Sequence, residues 1–440
     1  MIRFLKDNKS GLYYFLILLV AMIVFGRIIT VAVLYAKHVS PSPVQDPLEY
    51  RNLAINILEG NSFSMAQESP YVPDLLRTPM YPIFLAITFL FDKSGYLAIF
   101  LQQLMLFASF WMLWKMFDRY NGGRHKIIAA LFSSVLLVDP RIWFWSLETM
   151  TETFFIFLEV SALFILIFAE NINWRRVAGS AALLGLAVLT RPSGLLLIPG
   201  FVLFFVFYRR DIKKNMFMLL GFAVIVGFIV LPWLWRNYQL VGRVMLSSSR
   251  TVNYALGFQD EPSDITVVCY GHISDSKGRE VCLFRSFTSD GFYDVEKLAD
   301  GLGANISIAS IFKQNLIGAY HFWTPNDYKD IFSIAHNTFF GAETASSRAW
   351  ILFVDISYRA YAFFIVIMLA LAAFGLVFLH KKKEWAAAGL LGAPIFFSTF
   401  INFGMAGGRH HLILLPTIFF LAGLGLFYAS ERLCRKPVDY

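Results

Sequence analysis

Charge is scarce in this 440-residue chain. Only 15% of its residues are Asp, Glu, Lys or Arg, against 57% hydrophobic and 17% aromatic, a balance far from that of soluble domains. Cysteine is nearly absent as well, with three in all, so no disulfide framework holds the fold. Cys269 and Cys282 fall in one outer loop, where a bridge is open, and Cys434 lies near the other face. Several motifs are missing. No glycine loop ends in Gly-Lys-Ser/Thr and no His-Glu-x-x-His helix occurs, which excludes the common nucleotide-phosphate and zinc-hydrolase signatures. Without an Asp-x-Asp triplet, a sugar donor, if there is one, is not a nucleotide sugar. Low-complexity tracts and internal repeats are also lacking.

What the chain has is long apolar runs. Spanning about 30 Å of hydrocarbon takes about 20 apolar residues, and ten segments qualify, near 11–36, 95–117, 127–146, 151–169, 175–190, 193–208, 215–235, 356–379, 385–403 and 411–429. The expected fold is an all-α polytopic membrane bundle. Lys and Arg placement orients it, because short cytoplasmic loops carry the positive excess. Eighteen basic residues, among them Arg119, Arg124, Arg209, Lys213 and Lys381 to Lys383, fall on the side of the N-terminus, whereas the short turns opposite hold Arg141, Arg191 and Arg409. Both termini are therefore expected in the cytoplasm, and the net charge of +8 reflects topology, with no nucleic-acid partner. The first run, Leu12 to Ala36, is too long for a cleaved signal and reads as an anchor.

This divides the chain into a membrane module (1–235) with a first outer loop (about 37–94), a larger outer loop (236–350) and C-terminal membrane helices (351–440). In the first loop, Tyr50, Leu53, Ala54, Ile57 and Leu58 share one face of a helix over 46–59 that Gly60 and Asn61 stop. The apolar run Met80 to Phe91 is too short to cross and should dip into the outer interface.

Polar residues gather at that face. Asp46 and Glu49, in Asp-Pro-Leu-Glu-Tyr, suit either a helix capping box or a base for an acceptor hydroxyl. Arg77, in Arg-Thr-Pro-Met-Tyr-Pro with Tyr81, suits either interfacial snorkelling or a lipid phosphate. Glu152 opens a helix beside Asp139 and Glu148; Arg191 marks a Leu-Thr-Arg-Pro-Ser-Gly turn; Arg236 ends Pro-Trp-Leu-Trp-Arg. Arg409, His410 and His411 form a last outer turn able to take phosphate or a divalent metal; no other cofactor is called for. Arg27, inside the first run, needs an inward partner, expected among the outer carboxylates.

In this order, the acidic first loop, Arg-x-Pro-x-Tyr-Pro, Thr-Glu, Leu-Thr-Arg-Pro-Ser-Gly, Pro-Trp-x-x-Arg-Asn-Tyr and the final Gly-x-Arg resemble the membrane-embedded C-type glycosyltransferases, in the bacterial branch similar to protein O-mannosyltransferases and the lipid A aminoarabinose transferase. The resemblance implies transfer of a sugar from a polyprenyl-phosphate carrier to a lipid, glycan or protein acceptor at the outer face of a bacterial inner membrane. It implies Asp46 as base or acceptor orienter, Arg77 on the carrier phosphate, and Glu152, Arg191, Arg236 and Arg409 around the cavity. Relatives carry adjacent acidic residues where this chain has Asp46-Pro47, with Glu49 the second carboxylate. Two other readings remain, a polysaccharide ligase or polymerase and a non-enzymatic flippase or transporter of lipid-linked sugar; the latter favours inverted repeats and charges at mid-membrane.

Overall fold

The computed structural model describes residues 9–36, 45–248 with breaks at 70, 72, 122–125, 169–170, 209–210 and 243, four short strands between 267 and 287, Trp323, 348–400 and 412–434. The helices are α1 (Lys9–Ala36), α2 (Gln45–Leu58), α3 (Met80–Phe89), α4 (Tyr96–Asn121), α5 (Lys126–Val138), α6 (Pro140–Ser146), α7 (Thr151–Ile167), α8 (Trp174–Thr190), a 3-10 turn (Pro192–Leu197) running into α9 (Ile198–Phe207), α10 (Ile212–Val241), α11 (Arg348–Lys381), α12 (Trp385–Phe400) and α13 (Leu415–Cys434). The protein is an integral membrane helical bundle.

Helical elements stand at all ten expected segments, but they differ in reach. Among the described residues four helices are individually long and apolar enough to cross, Tyr96–Tyr120, Ile212–Val241, Trp350–Lys381 and Leu412–Glu431, and the pair α5/α6, bent by 51°, makes a fifth candidate. Helices α7 and α8 have 17 residues each, about 25 Å at 1.5 Å per residue. They pack within the bundle, α7 on α4 and α8, and α8 on α10. The C-terminal helices close the same bundle: α13 lies against α11 and α5, and α12 against α9. Met80 to Phe89 forms a short helix packed on α2, too short to span.

Breaks in these helices create the polar contacts. Pro140 follows Asp139, whose carboxylate caps α6 by accepting from the Arg141 and Ile142 amides. Arg141 N–H is thus diverted from the Leu137 carbonyl, and Arg27 takes that carbonyl instead, through Nε at 3.0 Å and Nη2 at 2.7 Å. Arg27 also donates to Gln103 Oε1 and Ser146 Oγ and lies 4.3 Å from the Trp143 ring centroid. Its direct hydrogen-bond partners are neutral acceptors, while the buried outer-face carboxylate of Asp139 acts on the guanidinium through space. A few residues on, Arg141 donates to Tyr361 Oη at 2.7 Å, and Tyr361 donates to Asp139, fastening α11 to the α5/α6 corner.

Helices α11 and α13 approach most closely at two glycines. A Cβ on Gly425 would fall within the carbonyl oxygen of Leu371, and one on Gly375 within that of Leu421. Small residues are the usual means of close approach between membrane helices. Gly425→Ala must push these backbones apart; it should cost about 1–3 kcal/mol, seen as a lower melting temperature of the protein in detergent. An unchanged melting temperature would mean the two helices do not meet there.

In the large loop, β1 (Val267–Cys269) pairs antiparallel with β4 (Arg285–Phe287) and β2 (His272–Ser274) with β3 (Glu280–Cys282). The register sets Cys269 opposite Arg285 and Cys282 opposite His272.

Candidate active site

Helix α2 brings two carboxylates to one side, Asp46 in its first turn and Glu49 three residues on. Both carboxylates turn to Arg77, which enters from the loop before α3. Asp46 Oδ1 accepts from Arg77 Nη2 at 2.5 Å; Glu49 Oε2 accepts from Nε at 2.8 Å and from Nη2 as well. Glu49 is buried, whereas the Asp46 side chain keeps 22% exposure. The guanidinium sits over the Tyr50 ring, 4.9 Å from its centroid. Burial alone would lower the Arg77 pKa, but Asp46, Glu49 and Tyr50 more than offset it and hold the group well above its ordinary value. The fork geometry of an arginine suits this two-carboxylate grip, and a lysine would not reproduce it.

A second ion pair stands beside the first. Arg191 Nη1 donates to Glu152 Oε1 at 2.7 Å and to Thr151 Oγ1 at 2.7 Å. Glu152 is in the first turn of α7 and Arg191 immediately follows α8. Pro192 ends α8, and Gly194 N–H turns to the Arg191 carbonyl, which leaves the Thr190 carbonyl to accept from Thr78 Oγ1 at 2.8 Å. The residue after Arg77 is thereby tied to the residue before Arg191. Tyr50 feels both pairs: burial raises its phenol pKa, the cations Arg77 and Arg191 lower it, and Asp46 and Glu152 raise it. Tyr81 packs edge-on against Tyr50 at 5.2 Å and donates to Gln102 Oε1 at 2.6 Å.

Arg236 reaches the same cluster from α10. Its Nη1 donates to the Asp74 carbonyl and to Asn237 Oδ1, each at 2.8 Å, with the rings of Trp233 and Phe63 at 4.5 and 5.3 Å. Six residues singled out in the sequence, Asp46, Glu49, Arg77, Tyr81, Glu152 and Arg191, are thus neighbours through contacts of one or two side chains, and Arg236 joins through Asp74. Arg409, His410 and His411 lie outside the described residues. Among the described residues no three His, Cys, Asp or Glu side chains converge as a metal site.

Asp74 escaped the sequence reading. Its signal was local: Asp three residues ahead of Arg in Asp-Leu-Leu-Arg, the spacing at which an Asp side chain accepts backbone N–H groups. In the structure Asp74 Oδ2 accepts from Arg77 N at 2.8 Å and Oδ1 from Leu76 N at 3.2 Å, which fixes the backbone that carries Arg77. Burial pushes the Asp74 carboxyl up to about 7; the two amides and the Arg77 guanidinium pull it down, and Glu49 raises it. The folded value lies above the ordinary 3.8, so the folded chain binds this proton more tightly than the unfolded one. Its contribution is fully present below about pH 4 and is lost as pH rises to about 7. The stability of wild type relative to Asp74→Asn should therefore fall across that window, by up to about 4 kcal/mol, and level off above it. Melting curves of both proteins from pH 4 to 8 would check this, and a pH-independent difference would contradict it.

Residues 76–235 match the family model described as dolichyl-phosphate-mannose-protein mannosyltransferase. That span includes Arg77, Glu152 and Arg191 and stops one residue before Arg236. No protein of curated function matches the chain. Among solved structures, the apo oligosaccharyltransferase of Archaeoglobus fulgidus aligns with a TM-score of 0.49 at 12% identity, over 97% of this chain and 51% of that one. The same protein in complex with zinc and sulfate aligns with a TM-score of 0.46 at 13% identity, over 88% and 45%. ArnT from Cupriavidus metallidurans bound to undecaprenyl phosphate gives 0.40 at 14% identity, over 96% and 79%. The chain spans about half the length of the archaeal oligosaccharyltransferase. Through the module that carries Arg77, Glu152 and Arg191, the chain is similar to the C-type membrane glycosyltransferases of the protein-mannosyltransferase kind.

Proposed function

We propose that this protein transfers a sugar from a polyprenyl-phosphate carrier to an acceptor hydroxyl at the outer face of a bacterial inner membrane, with its termini in the cytoplasm. The observation that carries this reading is the convergence of Asp46 and Glu49 on Arg77, a cation and two carboxylates at the surface end of the bundle. The first outer loop of the 1–235 module supplies this catalytic part, and the 236–350 loop shapes acceptor choice, since loops on a fixed scaffold commonly carry specificity.

In this mechanism the donor phosphate displaces Asp46 from Arg77, while the buried Glu49 keeps its hold on Nε and orients the guanidinium. Asp46 is then available to the acceptor. The acceptor oxygen attacks the anomeric carbon, the bond from that carbon to the phosphate oxygen breaks, and the hydroxyl proton passes to Asp46. The charge released on the carrier phosphate is met by Arg77, helped by Arg409. Phosphate leaves as an anion and needs no acid, so one base suffices, unlike the paired carboxylates of glycoside hydrolysis. Glu152 and Arg191 position the sugar end of the donor, Tyr81 supports the stack beneath Arg77, and Arg236 steadies the Asp74 loop. A metal at His410 and His411 is not required by this scheme.

The test is release of radiolabelled sugar from a panel of polyprenyl-phosphate sugars in membranes that express the protein. Label appearing on a lipid, glycan or protein acceptor supports the reading and identifies the sugar. If the intact carrier crosses the membrane with its sugar attached, the protein is a transporter and the proposal fails.

A further inference from the structure

At the end of the bundle opposite the Asp46–Arg77 cluster lies a cavity of about 240 Å³, lined among others by Arg119, Tyr120, Phe207, Lys383, Glu384 and Trp385. Helix α4 measures the separation: it starts at Tyr96 beside the loop that Arg51 grips through Ser94 O and reaches Tyr120 about 36 Å away. The charges at the cavity are two cations and one carboxylate, a net of +1, and the first turn of α12 adds its amide ends to a field that the cations already set. Phe207 and Trp385 are 52% and 44% exposed, so apolar side chains that are open to the surroundings flank the cations.

Lys383 is placed there at a cost. Its φ is +61°, the only non-glycine positive φ among the described residues, and a left-handed lysine is strained by about 1–2 kcal/mol. Its neighbours are otherwise engaged, Lys381 Nζ lying 5.7 Å from the Tyr428 ring and Lys382 Nζ 5.7 Å from the Phe378 ring. The turn thus sends two lysines over aromatic rings and the third to the cavity.

We propose that this cavity binds the phosphodiester headgroup of an anionic phospholipid of the adjoining leaflet. Arg119 and Lys383 hold the phosphate, Tyr120 and Glu384 meet headgroup hydroxyls, and Phe207 and Trp385 receive the start of the acyl chains. The volume equals about eight waters, room for a phosphate and a glycerol. A phosphatidylcholine, whose headgroup adds a cation, has no matching excess of negative charge here.

Native mass spectrometry of the full-length protein in detergent, titrated with phosphatidylglycerol or phosphatidylcholine, tests this. Phosphatidylglycerol should bind several times more tightly. Lys383→Gly and Arg119→Gln should each weaken it about fivefold. Lys383→Gly is informative because glycine accepts the positive φ without strain, so its loss of lipid cannot be laid to misfolding. Equal affinity for the two lipids, or unchanged phosphatidylglycerol binding by the double variant, would overturn the proposal. Millimolar inorganic phosphate should leave the lipid adduct intact; displacement by it would assign the site to free phosphate and remove the lipid from it.

Discussion

Asp46→Asn should lower the rate of sugar transfer by about 10²–10⁴-fold, the usual worth of a positioned proton acceptor, with little change in melting temperature. The asymmetry follows from the geometry around Arg77. Asp46 contributes one bond to Nη2, and an asparagine Oδ1 can still accept there, while Glu49 retains both of its bonds. The cation therefore stays paired and the loop stays in place. What disappears is the ability to take a proton from the acceptor. Transfer rates measured at saturating donor, with melting curves of the same preparations, separate these effects. If Asp46→Asn transferred sugar at the wild-type rate, Asp46 would be a structural ion-pair partner and the base would have to be sought elsewhere.

Arg77→Met should have the largest effect on stability. Removing the guanidinium takes from the buried Glu49 both of its bonds to Arg77, and breaking a buried pair in this way costs about 3–5 kcal/mol. A second substitution distinguishes this loss from loss of function. In Arg77→Met combined with Glu49→Gln the buried charge is gone, so most of the stability should return. Transfer should not, because nothing then meets the leaving phosphate; a further loss of about 10²–10³-fold in rate is the scale for one such group. Recovery of both stability and transfer in the double variant would remove Arg77 from the mechanism.

How far these features were legible depends on whether they are local. The helix expected over 46–59 is found at Gln45–Leu58, since an apolar face and a terminating Gly60, here at φ +73°, are written in adjacent residues. The short run from Met80 was likewise readable from length alone. Asp46 and Glu49 were harder, because Asp-Pro-x-Glu satisfies the rule for a capping box, and only the arrival of Arg77, 31 and 28 residues further on, brings both carboxylates to one cation. The direct partners of Arg27 were hidden for the same reason, although Asp139 does act on it through space. The main acceptor of Arg27 is the Leu137 backbone carbonyl, 110 positions later in the chain and freed where Asp139 takes the Arg141 N–H, and no periodicity links those two places. The pairing of Glu152 with Arg191 joins the entry of α7 to the exit of α8; each residue was suspected singly, and only packing shows that they neutralise one another.

The grip of two carboxylates on Arg77 has a consequence for selectivity within the bilayer. An arginine at the level of lipid headgroups is surrounded by phospholipid phosphates in great excess over any rare carrier. Were its guanidinium open, those phosphates would occupy it nearly all of the time. With Asp46 and Glu49 already in place, an ordinary phosphate gains only what remains after it has displaced a carboxylate. A carrier that also engages groups around Glu152 and Arg191 gains more. Under the proposed mechanism the resting ion pair works as a threshold that common lipids fail to pass and a sugar-bearing one can cross.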